Sequence, residues 1–215
     1  MKYMKKALVL LPLFTLTLLL GGCGQVTGPI SPLLNPPIAA FGSFDDGTTD
    51  GWVFDSSNPN ITNPLSLIVT SQSFQGPYAL EINVPSYGLS SGVTVQLTGY
   101  SVHYSYATSG PGLDLSNRIL SMWVKLKSGV VTPPFQIGAQ VFLKDASYQY
   151  ANGTFVKLVP GQWMQVTFNV NAPNYQAVPA PDPAHVYQVG LQLAGNGSAA
   201  FTSDGIVDAD SFGYQ

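Results

Sequence analysis

An all-β sandwich or barrel is the fold that the sequence predicts, and three observations predict it. Val, Ile, Thr, Tyr and Phe recur in short runs that alternate with polar residues. Clusters of Gly, Pro, Asn and Ser separate those runs. From residue 40 to the end there is no amphipathic helix of useful length. A stretch of about 175 residues is long enough to bury a sizeable core in one domain.

The elements follow in order. Runs with strand character cover residues 65–71, 78–84, 93–100, 118–127 and 135–144. Residues 148–150 and 154–158 read as a hairpin turning at Asn152-Gly153, a pair suited to tight turns with positive φ. Three more runs, at 163–170, 186–193 and 206–214, complete the count.

The chain ahead of this domain reads as an address. Lys2, Lys5 and Lys6 precede a mostly apolar run over residues 7–20, which is too short to span a bilayer and has the form of a signal-peptide core. It ends in Leu20-Gly21-Gly22-Cys23, which resembles the lipobox of bacterial lipoproteins. The resemblance implies a signal peptide over 1–22, cleavage, and lipidation of Cys23. Residues 23–39 are then the lipidated cysteine and a Gly/Pro-rich tether, and 40–215 the folded domain. Two or more acyl chains hold a protein stably at a membrane. The expected place is the bacterial cell envelope, at the outer membrane or cell surface rather than the inner membrane. Cys23 is the only cysteine, so neither an intrachain disulfide nor a cysteine metal site is available.

Removing the three signal lysines from eight cations leaves five against eleven acidic residues, a net charge of −6. Nucleic-acid binding needs a basic face and is excluded as the main function.

Strand parity sorts the side chains. Leu120, Met122, Val124 and Leu126 share one face, as do Ile137, Ala139, Val141 and Leu143, and Val189, Leu191 and Leu193; these are core. The opposite parity carries Gln96, Trp123, Gln140, Gln188 and Gln192. If their strands lie in one sheet, these five form a sugar-binding surface. An indole offers a flat apolar platform and amides offer both donors and acceptors. Trp123 has a second reading, as packing beneath a loop such as 101–112. Tyr104, Tyr106, Tyr148 and Tyr150 are loop or turn tyrosines suited to recognition. Trp52 and Trp163 read as structural.

Five segments together resemble the β-jelly-roll carbohydrate-binding modules of the galactose-binding-like superfamily. They are Phe44-Asp45-Asp46-Gly47 with Gly51-Trp52, then Gly76-Pro77-Tyr78-Ala79-Leu80-Glu81-Ile82, and then Leu113-Asp114-Leu115-Ser116 before the run 120–125. Pro160-Gly161-Gln162-Trp163 follows, and Val189-Gly190-Leu191-Gln192-Leu193 comes before Ala209-Asp210-Ser211-Phe212. The resemblance implies a β-sandwich jelly roll with Trp163 as a core anchor. It also implies a structural calcium at Asp45 and Asp210, with carbonyls from 73–78; Asp46 and Asp208 are further candidates. Read from the residues alone, these aspartates cap turns.

A catalytic constellation is not legible. Glu81 is the one glutamate and has no evident partner, and His103 and His185 sit in no motif. The expected function is therefore a non-enzymatic, lipid-anchored module holding a neutral poly- or oligosaccharide at the envelope. The rival is an assembly or adhesion lipoprotein that uses the same sandwich against a protein partner.

Overall fold

The computed structural model describes residues 38–54, 66–84, 94–101, 112–129, 137–195 and 205–215. Among them are thirteen strands and no helix. In chain order these are β1 (Ile38–Gly42), β2 (Val53–Phe54), β3 (Ser66–Thr70), β4 (Ala79–Val84), β5 (Thr94–Ser101), β6 (Ile119–Ser128) and β7 (Ile137–Asp145). The rest are β8 (Tyr150–Asn152), β9 (Val156–Lys157), β10 (Trp163–Asn169), β11 (Tyr175–Gln176), β12 (Val186–Gly195) and β13 (Gly205–Tyr214). The first begins at Ile38, two residues inside the segment expected to be tether.

The strands form two antiparallel sheets. One runs β10-β6-β13-β4-β3, with β1 also on β13; the other runs β11-β8-β7-β12-β5-β2, with β9 also on β7. This is the jelly-roll β-sandwich expected from the sequence. Its core lies between the sheets, where the predicted inward residues meet: Leu120, Met122 and Val124 from one, and Val141, Leu143 and Leu191 from the other, all buried. Trp52 is buried as expected, edge-on to Phe44 and Phe212, with its Nε1–H donated to the Phe41 carbonyl. Each apolar side chain so buried contributes roughly 1.5–3 kcal/mol.

The hairpin expected at Asn152-Gly153 is not formed. β8 pairs with residues 142–144 of β7 and β9 with residues 138–139, so both lie along the same strand as one interrupted edge. The turn comes earlier, at 145–149. Asp145 makes it: its Oδ1 accepts the amides of Ser147 and Gln149, and its carbonyl accepts that of Tyr148, which has φ of 59°. Gly153 instead serves close approach. A Cβ there would lie 2.4 Å from the Thr167 carbonyl oxygen on β10.

Candidate functional site

The outer face of the seven-stranded sheet follows from the cross-strand register of its backbone. Gln192 on β12 pairs with Gln96 on β5 and with Gln140 on β7. In the next row Gly190 faces Phe142, which faces Asn152 on β8, which faces Tyr175 on β11. In the third, Gln188 faces Lys144, which faces Tyr150. Their neighbours Val141, Leu143 and Ala151 point into the core, so parity sends the residues of β7, β8 and β12 outward. The register therefore brings four glutamines of the expected set onto one sheet.

A directional hydrogen-bond network joins three of the strands. Asn152 Nδ2 donates to the Tyr150 hydroxyl at 3.1 Å, and the hydroxyl donates to Gln192 Oε1 at 2.5 Å. Gln140 Nε2 donates to the same oxygen at 2.5 Å. Beneath the network the Tyr150 ring stacks on Phe142, with centroids 5.6 Å apart, and Tyr175 lies 6.2 Å from Tyr150 on the other side. Phe142 is fully buried, Tyr150 half-buried and Tyr175 exposed. The face thus grades from aromatic floor to accessible amides and phenols.

Burial pushes the Tyr150 hydroxyl up to about 12 from its ordinary 10.0, against the opposing pull of hydrogen bonds from Asn152 and Gln140. The folded state therefore holds this proton more tightly than the unfolded chain. The resulting stabilisation is complete below the unfolded value and is lost as pH rises from about 10 toward 12. Ultraviolet titration is expected to show one tyrosinate forming later than the others, and Tyr150→Phe to remove that late step. A wild-type curve superimposing on that of Tyr150→Phe would contradict the buried network.

Trp123 does not join this surface, because β6 lies in the other sheet. Its indole stacks on Phe74, with ring centroids 3.9 Å apart and an interplanar angle of 15°. One face of the expected platform is therefore covered by Phe74, while residues 102–111 of the loop expected to cover it lie outside the described residues. Trp163 also departs from expectation. Register sets it opposite Lys125, so it stands on the outer face of the six-stranded sheet and not in the core. Lys125 Nζ lies 4.5 Å above its ring, and Phe74 meets it edge-on at 5.9 Å.

The same outer face carries the charges. Lys125 Nζ is 2.9 Å from Asp208 Oδ2, and Lys127 is paired with Glu81 at 2.5 Å. Glu81, for which the sequence offered no partner, is thereby an ion-pair residue. Asp208 is fully buried, and desolvation raises its carboxyl above the usual range in spite of Lys125. This row is a structural ladder: the buried carboxylate has no open space in which to meet a substrate.

Asp45 and Asp210 converge on one turn. Asp210 Oδ2 accepts the amides of Phe74 at 2.7 Å and Gln75 at 2.9 Å, and its Oδ1 receives the Ser211 hydroxyl at 3.2 Å. Burial raises the Asp210 carboxyl, opposed by the two backbone amides. Gly76 has φ of +71°, and a Cβ there would lie 2.0 Å from Asp45 Oδ1, so the Asp45 carboxylate rests against the same turn. Among the described residues no group of three His, Cys, Asp or Glu side chains lies close enough to hold a metal. The residues fit a calcium ion only if backbone carbonyls complete its six to eight oxygens. Asp45 and Asp210 Oδ1 would then be its carboxylate donors. Asp46 instead caps its own turn, accepting the amide and hydroxyl of Thr48.

Other expectations fall elsewhere. Tyr148 is exposed at the tip of the 145–149 turn. His185 Nδ1 lies 2.7 Å from Asp182 on the surface. Cys23, Tyr104, Tyr106 and His103 lie outside the described residues, as do the side chains of β5, including that of Gln96. Strand parity already sends Phe142 outward; sequence reasoning missed Asn152 and Tyr175 as members of the face. For Asn152 a signal existed, since its parity matches that of Tyr150. For Tyr175 there was none, because a two-residue strand has no period.

No family model and no curated protein sequence matches the chain. Solved structures do. A carbohydrate-binding module specific for non-crystalline cellulose, CBM28, aligns with a TM-score of 0.53 at 14% identity over 80% of this chain and 91% of its own. CBM27-1 of Caldicellulosiruptor saccharolyticus, solved with mannohexaose, aligns at 0.50 and 11% identity over 79% and 92%. An exo-β-agarase aligns at 0.53 and 9% identity; the match covers 80% of this chain and only a quarter of the agarase chain. At these identities the likeness establishes the fold.

Proposed function

We propose that the domain is a non-catalytic module that binds a neutral poly- or oligosaccharide on the outer face of its seven-stranded sheet. The observation that carries this reading is the register of Gln140 and Gln192 with the Tyr150–Asn152 network over a buried aromatic floor. Amides and phenols fixed in position supply donors and acceptors at low entropic cost, while the rings meet the apolar C–H faces of a sugar. The fold shared with CBM28 and CBM27-1 supports the reading. An affinity of micromolar to millimolar, roughly −8 to −4 kcal/mol, is the scale for such a face.

The test is affinity electrophoresis of the full chain in mild detergent, through gels containing soluble glucan, xylan, mannan or galactan, with calcium or with a chelator. Retardation by at least one polysaccharide is expected. Calcium is proposed as a structural ion at Asp45 and Asp210, so chelation is expected to lower the thermal midpoint. An unchanged midpoint would remove the metal from the account. No retardation by any polysaccharide would shift the reading to the assembly or adhesion role.

The lipid anchor is a proposal that rests on Leu20-Gly21-Gly22-Cys23. In a bacterial host fed labelled palmitate, the wild-type chain is expected to take up label and fractionate with the envelope. Cys23→Ser is expected to do neither. Label on the Cys23→Ser chain would exclude this cysteine as the attachment point.

A further inference from the structure

The edge of the seven-stranded face that carries Tyr150 and Tyr175 has little of its own to hold it. β8 has three residues and β11 two. β11 pairs with β8, and β8 with residues 142–144 of β7. Two-stranded pieces of this size are marginal by themselves. Tyr175 is 58% exposed, so burial does little to fix it.

Asp145, the last residue of β7, is bonded to both sides of this edge. Its Oδ1 accepts the amides of Ser147 at 2.8 Å and Gln149 at 2.9 Å, in the turn that leads into Tyr150. Its Oδ2 accepts the amide of Asp182 at 3.0 Å, 37 residues further along the chain. Asp182 lies in the segment that runs from β11 back to β12, and register sets Asp145 opposite Val186 at the start of β12. The same segment is bonded to β8 at its other end, where the Ala177 amide meets the Tyr150 carbonyl at 2.8 Å. One side chain, 7% exposed, thus ties β7 to the entry of β8 and to the exit of β11. Bonds from an amide to a carboxylate are stronger than those between neutral groups.

We propose, on the carbohydrate-binding reading of this face, that Asp145 is its positioning residue: without touching the ligand, its carboxylate locks the Tyr150–Tyr175 edge to β7 before the glycan arrives. Tyr150 must reach across β7 for its hydroxyl to meet Gln192 Oε1, and Tyr175 must lie beside it for both rings to meet a sugar. A face that is already ordered loses no binding free energy to ordering itself.

The two carboxylate oxygens serve different segments, so Asp145→Asn separates them. The amide oxygen can keep Ser147 and Gln149, and the NH2 then meets the Asp182 N–H donor to donor. Wild type and Asp145→Asn, as full chains in mild detergent, are compared on whichever of the four polysaccharides retards wild type most. Amide hydrogen exchange is followed with and without that polysaccharide. Asp145→Asn is expected to bind about tenfold more weakly, the scale of one hydrogen bond to a charged group. Its Ala177 and Asp182 amides are expected to exchange faster than in wild type, while those of β12 keep their protection. The polysaccharide is expected to slow them again. A residue that served stability alone would leave the affinity of the folded variant unchanged. Wild-type affinity in Asp145→Asn would therefore overturn the inference and leave the carbohydrate reading intact. So would weaker binding with exchange at Ala177 and Asp182 unaltered, since position would not then be what was lost. Failure of every polysaccharide to retard the wild type would overturn the carbohydrate reading and this inference with it. Should Asp145→Asn not fold, as judged by circular dichroism, exchange in the free wild type decides. Protected Ala177 and Asp182 amides are expected there, and amides protected only once the polysaccharide is added would overturn the inference.

Discussion

Gln192→Ala is expected to weaken glycan binding ten- to a hundredfold, with only a small fall in thermal midpoint. Gln192 Oε1 takes protons from both Tyr150 and Gln140, so truncation frees two donors at once. The freed donors are half-buried and can turn to water, but they are no longer held in place for a ligand. A loss of about 1–3 kcal/mol in binding corresponds to this range of affinity. The loss falls on binding because Gln192 is half-buried on the outer face, while its neighbours Leu191 and Leu193 hold the core unchanged. Trp123→Ala is the control. It removes an aromatic side chain from the other sheet, so its effect is expected on stability and not on affinity. If Trp123→Ala abolished binding and Gln192→Ala did not, the ligand face would be the six-stranded sheet. Affinity electrophoresis of both variants beside wild type makes the comparison.

Trp52→Ala is expected to destabilise the domain by about 3–5 kcal/mol, the usual loss for a large aromatic in a core. Trp52 is 2% exposed and touches Phe44 and Phe212 edge-on. Its Nε1–H holds the Phe41 carbonyl at 3.2 Å, and Gly42 leaves no room for a side chain beside it, since a Cβ would lie 2.9 Å from the indole nitrogen. The truncation therefore opens a cavity and also removes the indole donor from the Phe41 carbonyl. Against a typical total of about 5–15 kcal/mol, this is a large share. Trp52→Phe keeps most of the volume and is expected to cost less than half as much. Urea unfolding measures both. A Trp52→Ala midpoint close to wild type would show that the β1 end of the sandwich adds little to its stability.

Much of the fold was legible because period-two alternation is a local property. Leu120, Met122, Val124 and Leu126 declare the inward face of β6 with no knowledge of the partner strands. The same logic fails at the next level. Alternation says that Trp123 and Gln140 both point away from the core, but not that they point to opposite sides of the molecule. Sheet membership is set by long-range pairing, β6 with β10 and β13, β7 with β12 and β8, and no short window contains it. Trp163 was misplaced for a related reason. The turn before it is real, with Gly161 at φ of +77°, but one residue of parity separates the core from the outer face, and Val166 and Phe168 occupy the core positions.

Asn152-Gly153 shows a different failure. The pair has the chemistry of a tight turn, and the chain uses it for something else. Gly153 admits the backbone of β10, and Asn152 is drawn into the Tyr150 network. The actual turn was carried by Asp145, whose carboxylate collects two amides. Tertiary approach overrode local preference at one position, and a side-chain cap replaced backbone preference at the other.

The pairing of β1 with β13 sets Ile38 directly opposite Tyr214. Antiparallel partners stand only about 4.5–5.5 Å apart at Cα. The polypeptide therefore leaves the sandwich almost where it entered, and the domain is topologically close to a ring. A few linking residues would close that ring, and it could then be reopened at an exposed turn such as 145–149 with the neighbour relations of every strand preserved. Adjacent ends also suit transplantation: the whole sandwich can sit inside a loop of a host protein without prying the host's own structure apart.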